Sequence, residues 1–294
     1  MRKKLTTLLL LLALIVVGCK QEPQAHPSSP LADKKEIQLF IIKTEQNSHF
    51  IERLKTNLSN ADIDIIRDTN INRVFLKEFG KSSFRSYHLL MFMDKQLTLN
   101  LIKKYPNIGL LTPLNMAIYK KATTLTIAIL TPNAIAHAIK ISTIDPLLIT
   151  YADKVRKAII ASIKSQEYRQ TTVHSLPLVY RSLSAKIDNL DDFEAKVEEN
   201  LNNEAFLIPN YIDLKEKLFN KYDYNAYDFY HIYSLYRIKN LYETLNAHPE
   251  FGVLYPYSLS LYKKKSTQRS NISFFQIDMK KEDNLTQLIQ KVIR

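Results

Sequence analysis

A tyrosine followed by a histidine occurs twice in this chain, 143 residues apart, as Tyr87-His88 and Tyr230-His231. Imidazole changes charge near neutral pH, so a histidine is the usual general acid, general base or metal ligand. A neighbouring phenol adds a hydroxyl that donates or accepts a hydrogen bond. On a strand, alternation sends the two side chains to opposite faces, and Leu90 and Phe92 then share the face of His88. That pattern fits a hydrogen-bonded core histidine. If two repeats met about a pseudo-two-fold axis, His88 and His231 could instead approach each other as a paired site for a metal or haem. Tyr87, His88, Tyr230 and His231 are therefore the candidate ligand-binding residues; no residue is assigned as catalytic and none as a metal ligand.

Other chemistry is harder to place. His26, His49, His137, His174 and His248 are scattered without metal-ligand spacing, and Cys19 has no second cysteine to pair with. Four glycines in 294 residues, one of them in the leader, leave no phosphate-cradling loop, and no HExxH, CxxC or nucleophile elbow occurs. No cofactor is implied. Tyr222, Tyr224, Tyr227, Phe229, Tyr230, Tyr233 and Tyr236 form a dense aromatic run, suited either to core packing or to a partner surface. Asp191, Asp192, Glu198 and Glu199 fall in the first turn or on an exposed face of one helical segment, as the helix dipole favours for the first two.

The elements that position the Tyr-His pairs are themselves duplicated. Phe50 to Thr124 matches Phe193 to Thr267 without a gap, with Asn57/Asn200, Leu58/Leu201, Pro106/Pro249, Gly109/Gly252, Leu111/Leu254, Pro113/Pro256 and Tyr119/Tyr262 identical. A period this long implies two whole domains and not a solenoid. Gly109 and Gly252 follow helical runs, which predicts a left-handed backbone closing the same helix in each copy. In the first copy the pattern predicts a buried strand at Glu36–Lys43 and a helix from a Ser48 cap to about Asn60. A strand at Ile63–Arg67 and a helix from Asn70 to Phe79 ended by Gly80 follow. Next come a strand at Tyr87–Met93, a helix at Leu97–Lys104, and a hairpin of Leu114–Tyr119 with Leu125–Leu130. Helical segments at Thr131–Lys140 and Tyr151–Ser165 lead to the second copy. There Leu178–Lys186 is the strand, Asp191 with Glu194 reads as a capping box, and Asn284–Ile293 is a final helix.

The N-terminus has a different character. Met1-Arg2-Lys3-Lys4 is basic, Leu5–Val17 is apolar, and Val16-Val17-Gly18-Cys19 resembles the lipobox of bacterial lipoproteins. The apolar run is short for a membrane span. The resemblance implies a signal peptide over residues 1–18, lipidation of Cys19 with palmitate-class chains, and stable attachment through several acyl chains. Lys20, where the enterobacterial sorting pattern has Asp for inner-membrane retention, favours the outer membrane, facing the periplasm. Residues 19–35 carry Pro23, Pro27, Ser28, Ser29 and Pro30 and read as a flexible tether. The net charge of +12 loses Arg2, Lys3 and Lys4 with the leader. The remaining excess is spread over the chain and not gathered in a dense run, which argues against nucleic-acid binding.

Strand, capped helix, Tyr-containing strand, helix, then Gly109-Leu110-Leu111-Thr112-Pro113 leading into a strand through Ala117-Ile118-Tyr119 resembles the bacterial domain of unknown function 302. Gly252-Val253-Leu254-Tyr255-Pro256 with Leu259-Ser260-Leu261-Tyr262 repeats it. The resemblance implies an α+β fold: two similar domains, 36–170 and 171–294. Each would be a curved, mostly antiparallel sheet with helices on one face, a TATA-binding-protein-like unit, the two arranged as a pseudo-dimer in a monomeric chain. Many members place Cys directly after that proline; here the positions hold Leu114 and Tyr257, which argues against a thiol-based role. The expectation is an envelope lipoprotein acting as a non-catalytic binding or interaction module for an envelope protein or a small molecule. The alternative is a metal- or haem-binding or enzymatic protein using the Tyr-His pairs.

Overall fold

A computed structural model describes residues 36–43, 49–141, 144–165, 167–173, 176, 178–277 and 285–293. Cys19, the leader, the tether and the Ser48 cap lie outside the described residues.

In the first repeat β1 (Ile37–Lys43) leads to α1 (Phe50–Ser59), which buries Phe50, Leu54 and Leu58 at helical spacing. Asp62, at φ 58°, turns the chain into β2 (Asp64–Asn70). The Asn70 side chain accepts from Arg73 N and starts α2 (Ile71–Phe79), and Gly80 ends it at φ 68°. Strand β3 (Ser86–Met93) follows, then Asp94, whose side chain accepts from Leu97 N and caps α3 (Lys95–Lys104). A 3-10 turn at Pro106–Leu111 and a cis Thr112-Pro113 bond lead into β4 (Leu114–Lys121). A turn with Ala122 at φ 48° joins it to β5 (Thr124–Leu130), and α4 (Pro132–Ala138) and α5 (Pro146–Ser162) complete the copy.

An unexpected strand, β6 (Tyr168–Val173), pairs antiparallel with β1, giving a six-stranded sheet of order β2-β3-β4-β5-β1-β6. The expected boundary between residues 170 and 171 therefore falls inside a strand, and the first repeat's sheet runs to Val173.

The second repeat follows the same plan. Strand β7 (Leu178–Ala185), α6 (Leu190–Asn203) and β8 (Leu207–Asp213) precede a π turn at Lys215–Phe219 and a 3-10 turn at Asn220–Tyr222 where the first copy has α2. Strand β9 (Tyr227–Tyr236), α7 (Ile238–Ala247), a 3-10 turn at Pro249–Leu254, β10 (Tyr257–Lys264), β11 (Ser270–Ile277) and α8 (Leu285–Ile293) complete it. The sheet order β7-β11-β10-β9-β8 matches β1-β5-β4-β3-β2 strand for strand, and every pairing is antiparallel. Even the left-handed residues recur, Ala205 at the place of Asp62 and Asp223 at the place of Gly80. Among the described residues no helix is long and apolar enough to cross a membrane.

Two local expectations need correction. Asn189, and not Asp191, caps α6, accepting from Asp192 N, because Glu194 is drawn off to the sheet. Gly109 and Gly252 do not adopt positive φ; they sit inside the 3-10 turns, and the reason they are glycine is contact across the repeats, described next.

Candidate functional site

The alternation on β3 and β9 decides where the Tyr-His pairs point. Tyr87 and Tyr230 face the other repeat. The Tyr87 hydroxyl donates to the Pro249 carbonyl and the Tyr230 hydroxyl to the Pro106 carbonyl, so each tyrosine reaches into the partner repeat's 3-10 turn. A Cβ on Gly109 would stand 2.0 Å from the Tyr230 hydroxyl oxygen, and one on Gly252 2.1 Å from that of Tyr87, distances no side chain tolerates. Glycine is required here by close approach. Tyr119 stacks on Tyr87 at 5.5 Å between ring centroids and Tyr262 on Tyr230 at 4.9 Å. Burial pushes Tyr87 and Tyr230 well above the usual phenol range, and it pushes Tyr262 up to about 12. The duplicated Tyr, Gly and second Tyr thus form one reciprocal lock, used twice.

His88 and His231 leave the opposite face. Phe92, on the His88 side, meets Tyr151 of α5 edge to face at 6.3 Å, which marks this as the helix-covered side. His88 Nδ1 lies 2.8 Å from Asp68 Oδ1 of β2, and Lys55 of α1 lies 2.5 Å from the same carboxylate. Burial raises the Asp68 carboxyl, but the hydrogen bonds from His88 and Lys55 outweigh it and hold the group below its usual range. His231 Nδ1 lies 2.6 Å from Glu194 Oε1 of α6, which also accepts from the Tyr233 hydroxyl at 2.6 Å. Burial first, and then the Glu194 hydrogen bond, push Tyr233 far up. The histidines that could have met across a pseudo-two-fold axis instead turn away from the interface, each toward a carboxylate of its own repeat. Among the described residues no three His, Cys, Asp or Glu side chains gather so as to hold a metal ion.

Most of the aromatic run is packing. Tyr227, Tyr230, Tyr233 and Tyr236 are buried; Tyr227 stacks on Phe219, and Tyr224 lies under Lys103 of the first repeat, 5.2 Å from Nζ to ring centre.

Two hollows lie where the repeats meet. The first is narrow, about 10 Å³, the space of one water, and lined by residues such as Leu111, Leu114, Asn115, Leu254 and Tyr257. The Asn115 Nδ2 donates to the Pro256 carbonyl at 3.1 Å, while its buried Oδ1 has no partner among the described residues. The second is an open cleft of about 570 Å³ between the end of α1, the start of α3, and α5 on one side and Lys221-Tyr222 of the second repeat on the other. Asp62, Asp64, Asp94, Lys95 and Lys154 line it with Lys221.

The family model for the domain of unknown function DUF302 matches residues 42–165 and again 182–294. The chain belongs to the DUF302 family. No curated protein matches it. Among solved structures, an uncharacterized conserved DUF302 protein from Bacillus stearothermophilus is 13% identical, with a TM-score of 0.38, and the match covers 42% of this chain and 98% of that one. The tandem DUF302 arrangement read from the 143-residue offset thus holds. Leu114 and Tyr257, which follow the two DUF302 prolines, are both buried beside the narrow hollow. The cleft residues escaped sequence reasoning: Asp94 lies just ahead of the helix expected from Leu97, and Lys154 and Lys221 come from segments remote in the chain.

Proposed function

We propose that this chain is a membrane-anchored envelope lipoprotein whose two DUF302 repeats form a non-catalytic binding module, with its ligand site in the open cleft between them. The observation that carries the binding role is that cleft, where charged groups from both repeats converge on about 570 Å³ of accessible space. The interface itself is consumed by the tyrosine-glycine lock and offers a ligand only the space of one water. Anchoring is supported by the basic, apolar and Cys19 succession and by the Pro- and Ser-rich tether, which give the module a membrane attachment. Its partners are the membrane through Cys19 and a small envelope molecule; nucleic acid is not among them, and the chain is a monomer with an internal pseudo-dimer.

Membrane fractionation of the full chain, with palmitate labelling, tests the anchor: label and membrane association are expected in the wild type and lost in Cys19→Ala. A soluble, unlabelled wild type would overturn it. Metal analysis and an absorbance spectrum of the same purified protein check the competing cofactor reading. A stoichiometric metal or Soret band lost in His88→Ala/His231→Ala would replace the binding module with a cofactor protein.

A further inference from the structure

The open cleft has a balanced but uneven set of charges. Three carboxylates, Asp62, Asp64 and Asp94, face three ammonium groups, Lys95, Lys154 and Lys221. Four of the six satisfy one another. Lys95 Nζ lies 2.6 Å from Asp64 Oδ2, and Lys154 is in direct contact with Asp94 Oδ2. Asp94 is only 2% exposed, and its other oxygen accepts from Leu97 N, so its capacity is spent on the fold.

Two groups are left over, one from each repeat. Among the described residues the exposed Asp62 carboxylate has no hydrogen-bond or ion-pair partner. The Lys221 ammonium has only the face of the Tyr222 ring, 5.4 Å away. Asp62 is held in place by its left-handed turn, and Lys221 by a short 3-10 turn, so neither side chain sits on a wandering loop. The six charges sum to zero, so the cleft as a whole favours neither an anion nor a cation. A molecule carrying both an ammonium and a carboxylate meets one free group of each sign.

The duplication supplies a built-in comparison. The residues equivalent to Asp62, Asp64, Asp94 and Lys95 are Ala205, Leu207, Arg237 and Ile238, and Glu78 stands in place of Lys221. Arg237 pairs with Glu204 at 3.2 Å and lies over the Phe206 ring at 4.3 Å. At the equivalent place the second repeat thus has no free acid, and the first repeat carries an acid, Glu78, where the free amine would be.

We propose that the open cleft binds a zwitterionic ligand, an amino acid or short peptide with both ends free, its ammonium on Asp62 and its carboxylate on Lys221. This rests on the binding-module reading and names its ligand class. The volume lies in the range of small-molecule sites, and exposed charges reading the two ends make the affinity modest.

Isothermal titration of the full chain in mild detergent tests the assignment with four probes: trialanine, N-acetyl-trialanine, trialanine amide and maltose. Trialanine binds, and each blocked peptide binds about tenfold more weakly, a loss of about 1.4 kcal/mol. Asp62→Asn weakens trialanine about tenfold but leaves N-acetyl-trialanine unchanged, and Lys221→Gln does the same for trialanine and its amide, because the group each reads is already gone. Lys217→Gln, on the same segment but outside the cleft, changes nothing. Blocked peptides that bind as well as trialanine, or maltose that binds and responds to Lys221→Gln, overturn the zwitterion and leave a binding module standing. No heat with trialanine at millimolar concentration also overturns the zwitterion, while the anchor is judged separately by fractionation.

Discussion

The two DUF302 repeats of this chain agree at the tyrosine-glycine lock and differ in the residues of the open cleft. At the interface Tyr87 with Gly252 and Tyr230 with Gly109 make the same contact twice. In the clefts, Asp62, Asp94 and Lys221 have become Ala205, Arg237 and Glu78. A reciprocal lock constrains both copies together, because a change to either turn damages a contact with the other repeat. A surface used once imposes no such symmetry. The histidines fall between these extremes. Both keep a carboxylate on Nδ1, but Asp68 supplies it from β2 in one copy, and in the other, where Tyr211 stands at that place, Glu194 supplies it from α6.

The largest test of this contrast is at the glycines. Gly109→Ala and Gly252→Ala each force a methyl into a tyrosine hydroxyl and should cost about 3 kcal/mol, equally in the two repeats, as read by thermal unfolding. A loss confined to one repeat would break the symmetry argument. Tyr87→Phe or Tyr230→Phe strips the donor from a proline carbonyl and should cost about 2 kcal/mol. The same pair sharpens the alkaline limb. Both phenols are raised above the usual value of 10.0 by burial, so their stabilising contribution is full below pH 10 and is lost as pH rises beyond it. The Tyr87→Phe/Tyr230→Phe double variant should therefore show a flatter decline in melting temperature above pH 10.

At the histidines the effect should be smaller and unequal. His88→Gln leaves Asp68 paired with Lys55, whereas His231→Gln leaves Glu194 with Tyr233 alone, so the second should cost about 1 kcal/mol more. Equal losses would show that the differing carboxylates do not matter. Smallest is an acid-limb difference. The Asp68 pKa is depressed below 3.8, so its contribution is present above that value and is lost as pH falls through the depressed one. Asp68→Asn should flatten the stability profile below pH 4, with no counterpart on changing Tyr211.

Much of this fold is legible in the chain because hydrophobic spacing and capping chemistry are local. Asn70 caps α2 with its side chain, Gly80 ends it in the left-handed backbone that a missing Cβ permits, and the hairpin of β4 and β5 closes where the polar residues fall. What the sequence hides is tertiary. Gly109 reads as a left-handed helix end, since nothing nearby in the chain reveals a phenol arriving from 121 residues further on. The capping box at Asp191 and Glu194 is locally sound but loses its glutamate to His231. Strand β6 reads Tyr-Arg-Gln-Thr-Thr-Val, exposed in its first half and half-buried in its second, and gives no apolar alternation to detect. For the Tyr-His pairs, alternation correctly separates the two faces, but which face meets the other repeat depends on docking, and the cleft appears only after it.

One further consequence concerns mechanics. Strand β1, the first described strand, is not at the rim of its sheet; β5 holds one side from Ile37↔Leu130 to Lys43↔Thr124, and β6 holds the other from Ile37↔Val173 to Ile42↔Tyr168. If the proposed tether and lipid anchor hold, a tug from a moving membrane would peel an edge strand one rung at a time. Here it must disrupt two ladders together, so the strand borrowed from the inter-repeat connection reinforces the point where a lipid anchor would transmit force.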